Sequence, residues 1–345
     1  MKKILKSFTL IVLLFISHNI FSQTVEWVEV PSATTASFRA LSVVNDKVAW
    51  LGGSKGTVGF TSDGGKTWTF STVPDFATVD FRSVYAFDEK NVIIANAGSP
   101  GYILKTTDGG QQWKVVYKND HKDAFFDGTD FWNAKEGMVY GDPIDGRMLI
   151  VQTTDGGNTW KELAASSRPE LKEGEASFAA SNTGIRCLPK NKVVIATGGK
   201  TSRLWISEDK GMHWKASDAP IIQGEQMTGI YSVAFRDGKK GIIVGGDYNR
   251  DTLKTDHIFL TSDFGKTWKA PSVPTRGIRE CVEYITDKVV IATGQRGSDF
   301  SVDGGVTWKM LSDEKYFDVV RKARKGSLII IAGGKGKVGI LKIKP

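Results

Sequence analysis

The chain has 345 residues, with 38 glycines, two cysteines, four histidines and a formal net charge of +8 at pH 7. Two cysteines cannot build a disulfide scaffold, and neither cysteines nor histidines occur in a metal-ligand spacing, so we expect no metal site and no cofactor. The positive charge is modest and no nucleic-acid-binding motif accompanies it, so we expect no nucleic acid as a partner.

The first 23 residues have the pattern of a secretory signal peptide. Three lysines lie among the first six residues, residues 10–16 are apolar, and Ser22 and Gln23 offer a cleavage point. The apolar segment is too short to span a bilayer comfortably, which favours a cleaved signal over a membrane anchor. We therefore expect an exported protein, periplasmic or extracellular, whose mature chain begins at Thr24 and has no membrane span.

Short strands then follow one another in a fixed order. Residues 38–44, 48–53 and 57–61 are apolar runs bounded by turn residues, and each has the length of a strand. The third run leads into the phrase Thr-Ser-Asp-Gly-Gly-Lys-Thr-Trp at residues 61–68, and a fourth strand begins at Trp68. This first unit therefore predicts one four-stranded blade.

The eight-residue phrase organises the chain. An Asp side chain accepts hydrogen bonds from backbone amides further along the turn, and the glycine after it permits a positive φ, so Asp-x-Gly closes a hairpin with little strain. The tryptophan is large enough to wedge between neighbouring units. A repeat of this kind is typical of an array of one supersecondary unit. The phrase occurs six times, with its aspartates at Asp63, Asp108, Asp155, Asp209, Asp263 and Asp303.

The two ends of the mature chain complete one further unit. After the sixth copy, three strands follow without the phrase, at residues 317–320, 327–332 and 337–343. Residues 24–30 match the stretch that follows the phrase elsewhere, with Trp27 in the place of its tryptophan. Pairing this N-terminal strand into the last unit closes a ring and removes its exposed edges. We therefore predict an all-β fold in one domain, residues 24–345: a seven-bladed β-propeller with four-stranded blades.

The repeated phrase resembles the Asp-box, or bacterial neuraminidase repeat. Asp-boxes occur in sialidases, sortilin-type receptors, xyloglucanases and the photosystem II stability and assembly factor family, all of which are β-propellers. In those families the box lies on the outer rim of a blade, away from the central site. The resemblance therefore implies a structural role for the six aspartates, and it is to the assembly factor-like family of exported bacterial proteins that this chain looks most similar.

Four arginines recur where the innermost strand of a blade should begin. Because all four occupy the same position in the repeat, their guanidinium groups would point towards the same rim of the central channel. Each could pair with a carboxylate or carbonyl group of a neighbouring blade, or the four could form a cationic patch that grips a carboxylate or an acidic tail. The assembly factor family is similar here, since its arginines at inner-strand starts form a patch for a protein client. The four are Arg39, Arg82, Arg186 and Arg279.

The ring of arginines is incomplete in this sequence. The corresponding places in the other blades hold Asp127 or Asp130, Tyr231 and Asp318. We expect a binding or assembly scaffold, monomeric, that recognises a protein or peptide at this Arg-lined face.

A glycoside hydrolase is the alternative function, with a glycan as its ligand. Sialidases combine an arginine cluster with a Tyr nucleophile, a Glu partner and an Asp acid, and other glycosidases place two carboxylates across a cleft. Sialidases usually have six blades, however, and this chain predicts seven. The candidate catalytic residues are Asp127, Asp130, Asp142, Glu175, Tyr231 and Glu280.

Three further segments stand out from the repeat. Residues 141–147 and 174–183 are its least repeat-like parts, and loops that depart from a repeat are where such proteins carry function. The densest basic run, residues 321–325 (RKARK), is more simply a solvated turn between strands than a site for a polyanion.

Overall fold

The computed structural model describes residues 23–344. The predicted signal peptide, residues 1–23, lies outside the described residues apart from Gln23. Two three-residue 3-10 turns, Ala165–Ser167 and Gly334–Gly336, interrupt an otherwise all-β structure. No helix between residues 23 and 344 has the length and apolar character needed to cross a membrane.

Seven sheets are formed by 29 strands. The N-terminal strand is β1 (Thr24–Val30). Blade one contains β2 (Phe38–Val43), β3 (Ala49–Gly53), β4 (Thr57–Thr61) and β5 (Thr69–Thr72). Blade two contains β6 (Phe81–Ala86), β7 (Val92–Asn96), β8 (Gly101–Thr106) and β9 (Lys114–Asn119). Blade three contains β10 (Phe126–Phe131), β11 (Gly137–Ile144), β12 (Arg147–Thr153) and β13 (Lys161–Glu162).

The second half of the chain continues this order. The short strand β14 (Glu175–Ala176) precedes blade four, which contains β15 (Ile185–Leu188), β16 (Lys192–Ala196), β18 (Arg203–Ser207) and β19 (Lys215–Asp218). Blade five contains β17 (Gly198–Gly199), β20 (Thr228–Phe235), β21 (Gly241–Asp247) and β22 (Ile258–Thr261). Blade six contains β23 (Cys281–Tyr284), β24 (Val290–Gly294), β25 (Gly297–Ser301) and β26 (Lys309–Ser312). Blade seven contains β27 (Phe317–Lys322), β28 (Ile329–Gly333) and β29 (Val338–Lys344).

The ring is closed by the N-terminal strand, as predicted. β1 pairs antiparallel with β29 over its whole length, from Thr24 opposite Lys344 to Val30 opposite Val338. Trp27 packs edge-on against Phe317 at a centroid distance of 5.1 Å. The innermost strands contact one another in chain order, and β27 of blade seven contacts β2 of blade one. The predicted seven-bladed β-propeller is therefore confirmed.

Blade five departs from its neighbours at both edges. Its outermost position holds no regular strand, only a bridge in which Leu260 and Lys269 exchange backbone hydrogen bonds of 2.8 Å. Pro271 and Pro274 follow, and proline has no N–H with which to extend a ladder. At the inner edge, β17 pairs with β20, and β14 in turn pairs with β17. The non-repeat segment 174–183 therefore lies against the inner end of this blade.

Each Asp-box forms one compact turn between the third and fourth strands. In blade one, Asp63 accepts hydrogen bonds from the backbone amides of Lys66 and Thr67, both at 3.0 Å, and from the Thr67 hydroxyl at 2.7 Å. Trp68 donates its indole N–H to Gly65 O at 3.1 Å. In each of the other five boxes the aspartate accepts a hydrogen bond from the backbone amide four residues later. Asp155, Asp263 and Asp303 also accept one from a threonine hydroxyl. These hydrogen bonds explain why each turn contains an aspartate.

The hydrophobic core lies between adjacent blades rather than inside any one of them. Trp113 of the blade-two box packs on Trp50 of blade one with the rings nearly perpendicular, and Trp160 of blade three packs among residues of blades two and three. Burial of aromatic area of this size is a large contribution to stability. The box tryptophans therefore wedge between neighbouring blades, as the sequence predicted, and hold the inner strands in a ring around the channel.

Candidate functional site

Five innermost strands share a bulge near their start, at the second residue in four of them and at the fourth residue in β20. The bulged residue is skipped in the pairing with the second strand. A bulge re-aims a side chain relative to the regular alternation of a strand. The bulged residues are Arg39, Arg82, Asp127, Tyr231 and Asp318.

Four charged side chains from different blades converge at this mouth of the channel. The pKa of Asp318 in blade seven is affected by the charges of three residues from other blades. They are Glu280 in blade six, Arg39 in blade one and Arg82 in blade two. Arg39 contacts Glu280 directly, with 3.3 Å between Nη1 and Oε1. Groups that belong to four separate blades can meet only where the inner strands converge on the axis. We call Arg39, Arg82, Glu280 and Asp318 the mouth cluster.

The two arginines of the mouth cluster keep most of their hydrogen-bond donors unused. Arg82 donates its Nε to Asp80 at 2.8 Å, and Arg39 donates one Nη1 bond to Glu280. A guanidinium group has five N–H donors, and neither arginine makes a second hydrogen bond within residues 23–344. Their side chains are 19% and 32% exposed, respectively. Both guanidinium groups can thus donate hydrogen bonds to a further anionic partner.

One acid of the mouth cluster, Asp318, has a strongly raised pKa. Burial, followed by the charge of Glu280, raises the pKa of Asp318 to about 7, while Arg39 and Arg82 oppose the rise. Glu280 is fully buried, and its second oxygen accepts the backbone N–H of Gln295 at 3.1 Å. The net charge of the mouth therefore becomes more positive as the pH falls through 7.

An aromatic stack lies beside the mouth cluster. The rings of Phe178 and Tyr231 are parallel within 5°, with centroids 4.0 Å apart, and Tyr248 continues the stack at 6.5 Å. The Tyr231 hydroxyl donates to Met227 O at 3.0 Å. Burial, followed by the charge of Glu280, raises the pKa of Tyr231. Phe178 belongs to the non-repeat segment 174–183, which thereby contributes to the mouth.

Arg186 and Arg279 do not join Arg39 and Arg82, contrary to the shared register expected from the sequence. In blade six the residue before the paired Cys281 is Glu280, so Arg279 lies one position too early; it is fully buried and bonded to Asp299. Arg186 lies only two residues before Leu188, the last residue of its strand, whereas Arg39 lies four residues before Val43. Arg186 therefore belongs to the opposite end of the channel.

Glu175 has a structural environment. Its carboxylate is fully buried and paired with Arg203, whose Nε lies 3.0 and 3.1 Å from the two oxygens and whose Nη2 also bonds it. The same group accepts hydrogen bonds from the Thr197 hydroxyl at 2.6 Å and the Trp205 indole at 3.1 Å. These contacts use the lone pairs that a catalytic carboxylate would need.

The other candidate catalytic residues are dispersed. Asp130 accepts the backbone N–H of Phe131 at 2.9 Å and of Cys187 at 2.8 Å, and burial raises its pKa. Asp130 lies four residues after Phe126 along the innermost strand, so it faces the opposite end of the channel from Tyr231 and Glu280. Of the candidates, Tyr231 belongs to the aromatic stack and Glu280 contacts Arg39. Asp127 is bulged at the same end of its strand and lies near enough to Arg82 for that charge to act on its pKa, but it has no exposed surface.

Asp127 and Asp142 form a separate buried pair. Neither oxygen of Asp127 has a hydrogen-bond partner within residues 23–344, and the residue has no exposed surface. Burial, followed by the charge of Asp142, raises the pKa of Asp127 well above its usual range. Burial raises the pKa of Asp142 to about 6, and Asp142 accepts the Ser177 amide at 2.9 Å. A substrate cannot touch Asp127 in this structure, although Asp142 lines an open cavity of about 570 Å³.

Three groups at the channel escaped the sequence analysis as site residues. Asp318 was noticed only as a gap in the arginine ring, and nothing in the sequence distinguishes Tyr248. Phe178 lies in the non-repeat segment 174–183, and this was the available signal, since loops that depart from a repeat often carry function. Among residues 23–344, no three His, Cys, Asp or Glu side chains are grouped so as to hold a metal ion.

Part of the sequence matches a known protein family. The family described as photosynthesis system II assembly factor YCF48 matches residues 19–123 and 96–170. Two solved structures of YCF48 itself have the same fold. The family match thus lies within the first half of this chain, which is similar there to photosystem II assembly factors. No curated protein sequence matches it.

The similarity of the fold to solved structures extends over nearly the whole chain. A structure described as YCF48 bound to D1 peptide is 21% identical, with a TM-score of 0.67, and the match covers 92% of this chain and 96% of that one. YCF48 from Cyanidioschyzon merolae is 18% identical, with a TM-score of 0.66 and coverage of 91% and 98%. The WD40 propeller domain of Doa1 is 14% identical, with a TM-score of 0.63 and coverage of 93% and 97%. At these identities the structural matches establish the fold alone.

Proposed function

We propose that the protein is a peptide-binding assembly scaffold whose ligand presents a carboxylate group to Arg39 and Arg82. The observation that carries this proposal is the pair of partly exposed guanidinium groups at one channel mouth, most of whose donors have no partner. The planar guanidinium fork binds a carboxylate through two parallel hydrogen bonds. Peptides carry such groups on Asp and Glu side chains and at the C-terminus.

The aromatic stack supplies the apolar part of the same site. Phe178 and Tyr248 are half-buried on either side of Tyr231, so each retains some exposed ring surface. Aromatic side chains offer a large rigid contact area at low entropic cost, which suits peptide recognition. The preferred ligand is therefore a segment with an apolar or aromatic side chain near its carboxylate.

The comparison with YCF48 supports a peptide as the ligand. One of the similar structures is described as YCF48 bound to D1 peptide, so a propeller of this fold does bind a peptide. The client of this chain is a different question, because only Arg39 and Arg82 of the expected arginine patch lie at the mouth. We further propose, from the basic and apolar pattern of residues 1–23, that binding takes place after export, in the periplasm or outside the cell.

A panel of short synthetic peptides tests the proposed site. Each peptide is prepared with a free C-terminal carboxylate and as its amide, with and without an internal Asp or Glu, and binding is measured by fluorescence anisotropy. We expect Arg39→Ala with Arg82→Ala to weaken binding of the carboxylate peptides at least tenfold. Lys66→Ala with Lys266→Ala is the matched control, since it removes two exposed positive charges from Asp-boxes on the rim.

The pH dependence gives a second measurement of the same site. Protonation of Asp318 removes a negative charge beside Arg39 and Arg82, so peptide carboxylates should bind more tightly as the pH falls from 8 to 6. Asp318→Asn should bind tightly across that range. Equal binding by the arginine variant and the wild type would contradict the proposed face, and release of sugar from a glycan panel by the folded protein would contradict a purely binding role.

A further inference from the structure

A second basic cluster lies at the end of the channel opposite to the mouth cluster. It contains Arg186, Arg321 and Arg324, from blades four and seven. Arg321 occupies β27 four residues beyond Phe317, where the innermost strand approaches its final turn. At about 3.3 Å per residue, this level is on the order of 10 Å along the channel from the bulged residues. We call these three residues the lower arginine cluster.

The basic run 321–325 reaches into an exposed turn between β27 and β28, as its sequence predicted, but Arg324 also contacts other blades. The guanidinium group of Arg324 lies over the ring of Tyr85 in blade two, 4.4 Å from its centroid. Arg324 also donates to the Ser42 hydroxyl at 2.9 Å and to Ala86 O. The turn of blade seven thus reaches across blades one and two, because β27 packs directly against β2 when the ring closes.

Arg186 is buried and bonded to blades five and six through Nε and Nη2. Its Nε donates to Val233 O of blade five at 2.7 Å, and its Nη2 donates to Val282 O of blade six at 3.2 Å. The same Nη2 lies 2.9 Å from Oε2 of Glu283. Arg186 therefore anchors the wall of the channel and uses the nearest carboxylate.

Arg321 is the exception, because it has no hydrogen bond to any residue in the range 23–344. Its closest carboxylate oxygen is Oε2 of Glu283, 3.9 Å from Nε, and that oxygen is the one already bonded to Arg186. The side chain is only 17% exposed. Its five N–H donors thus have no acceptor among residues 23–344, whereas buried polar groups in proteins are nearly always hydrogen-bonded.

The positive and negative charges around Arg321 do not balance. Three arginines meet two carboxylates, Glu283 and Asp130, so at least one positive charge is uncompensated. Each oxygen of Asp130 accepts a backbone amide, and Asp130 makes no hydrogen bond with Arg321 among residues 23–344. A charge away from bulk water is costly unless it is paired. An exposed Arg324 at the opening gives a small solute a path to Arg321.

We propose that the lower arginine cluster binds a small tetrahedral oxyanion, phosphate or sulfate, with Arg321 as its principal ligand. Such an ion accepts hydrogen bonds in several directions at once, which suits guanidinium groups that approach from different blades. Free donors remain on Arg186 at Nη1 and on Arg324 at Nε. This site is independent of the peptide-binding mouth.

Titration calorimetry with sodium phosphate tests the site, with sodium chloride at matched ionic strength as the blank. We expect saturable binding by the wild-type protein, at least a tenfold loss in Arg321→Met, and no loss in Lys325→Met, which removes an exposed charge from the same turn. Sulfate should compete with phosphate and acetate should not. No saturable heat in the wild type, equal loss in both variants, or equal competition by acetate would each overturn the proposal.

Stability without the anion separates a ligand from a structural residue. In phosphate-free and sulfate-free buffer, Arg321→Met should unfold at the same or a higher temperature than the wild type, because it removes an uncompensated charge. Added phosphate should then raise the unfolding temperature of the wild type and of Arg39→Ala but not of Arg321→Met. A clear loss of stability by Arg321→Met in anion-free buffer would show that Arg321 acts as a structural partner of Glu283, and the proposal would fail.

Discussion

The ion pair between Glu175 and Arg203 offers a sharp test of whether the non-repeat segment 174–183 is structural or catalytic. Both side chains are buried, with exposed fractions of 0% for Glu175 and 10% for Arg203. The carboxylate also accepts bonds from Thr197, Trp205 and the Lys172 amide, the last at 3.0 Å. Glu175→Gln preserves the shape of the side chain and removes its charge.

The cost of this substitution follows from the partner that remains. Removing one member of a buried ion pair leaves the other uncompensated and typically costs about 3–5 kcal/mol. Arg203 has another contact with Glu170 O at 3.3 Å and a cation–π contact with Trp205, which offset only part of that loss. A whole domain is stable by only about 5–15 kcal/mol, so Glu175→Gln should remove a large share of the free energy of unfolding.

Urea unfolding followed by tryptophan fluorescence measures the effect as a shift of the midpoint at constant slope. The double variant Glu175→Met with Arg203→Met is the control, since replacing both members of a buried pair by apolar residues is often nearly neutral. We expect it to recover most of the stability lost by Glu175→Gln. A loss of less than about 1 kcal/mol in the single variant would refute this reasoning, and it would return Glu175 to the list of catalytic candidates.

Three other predictions concern the acids and the ring closure. The raised pKa of Asp142, about 6, means that its contribution to the free energy of unfolding is present below pH 4 and is lost as the pH rises through 6; Asp142→Asn should flatten this slope in urea titrations. Hydrogen bonds from its own box lower the pKa of Asp263 to about 2, so its stabilisation is present above pH 4 and lost as the pH falls through 2. Asp263→Asn should therefore be less stable than the wild type at pH 6 and indistinguishable near pH 2, and equal stability at pH 6 would contradict the role of the box. Trp27→Ala should cost about 3 kcal/mol by thermal unfolding because it removes the contact with Phe317, whereas Val28→Ala, at an exposed position, should cost less than about 0.5 kcal/mol.

Local chemistry was sufficient to predict the Asp-boxes and the number of blades. Asp63 and Gly65 encode a turn whose side-chain hydrogen bonds lie within eight residues. The one further bond, from Gly64 N–H to Lys47 O, reaches only the preceding hairpin of the same blade. Even the two boxes without a first glycine keep the turn, with Lys210 and Phe264 at φ 59° and 63°. The match of residues 24–30 to a fourth strand was likewise visible because it repeats a pattern seen elsewhere in the chain.

The sequence did not predict the direction in which side chains point at the channel. Arg39 and Arg82 reach the mouth because each occupies a bulge, and a shift of one position placed Glu280 there instead of Arg279. In a strand, a one-residue change of register sends a side chain to the other face. The sequence pattern shows that an arginine is near the start of a strand, but it does not show which residue is bulged.

The sequence by itself thus determined the propeller, its seven units and its closure, since these depend on turns and strands that repeat locally. Only the tertiary structure decided which charges meet. Arg324 and Tyr85 are far apart in the chain and adjacent in space, and Arg321 is left without a hydrogen bond because Glu283 is shared with Arg186. Such contacts exist only after seven blades have closed around one axis, so no local pattern encodes them.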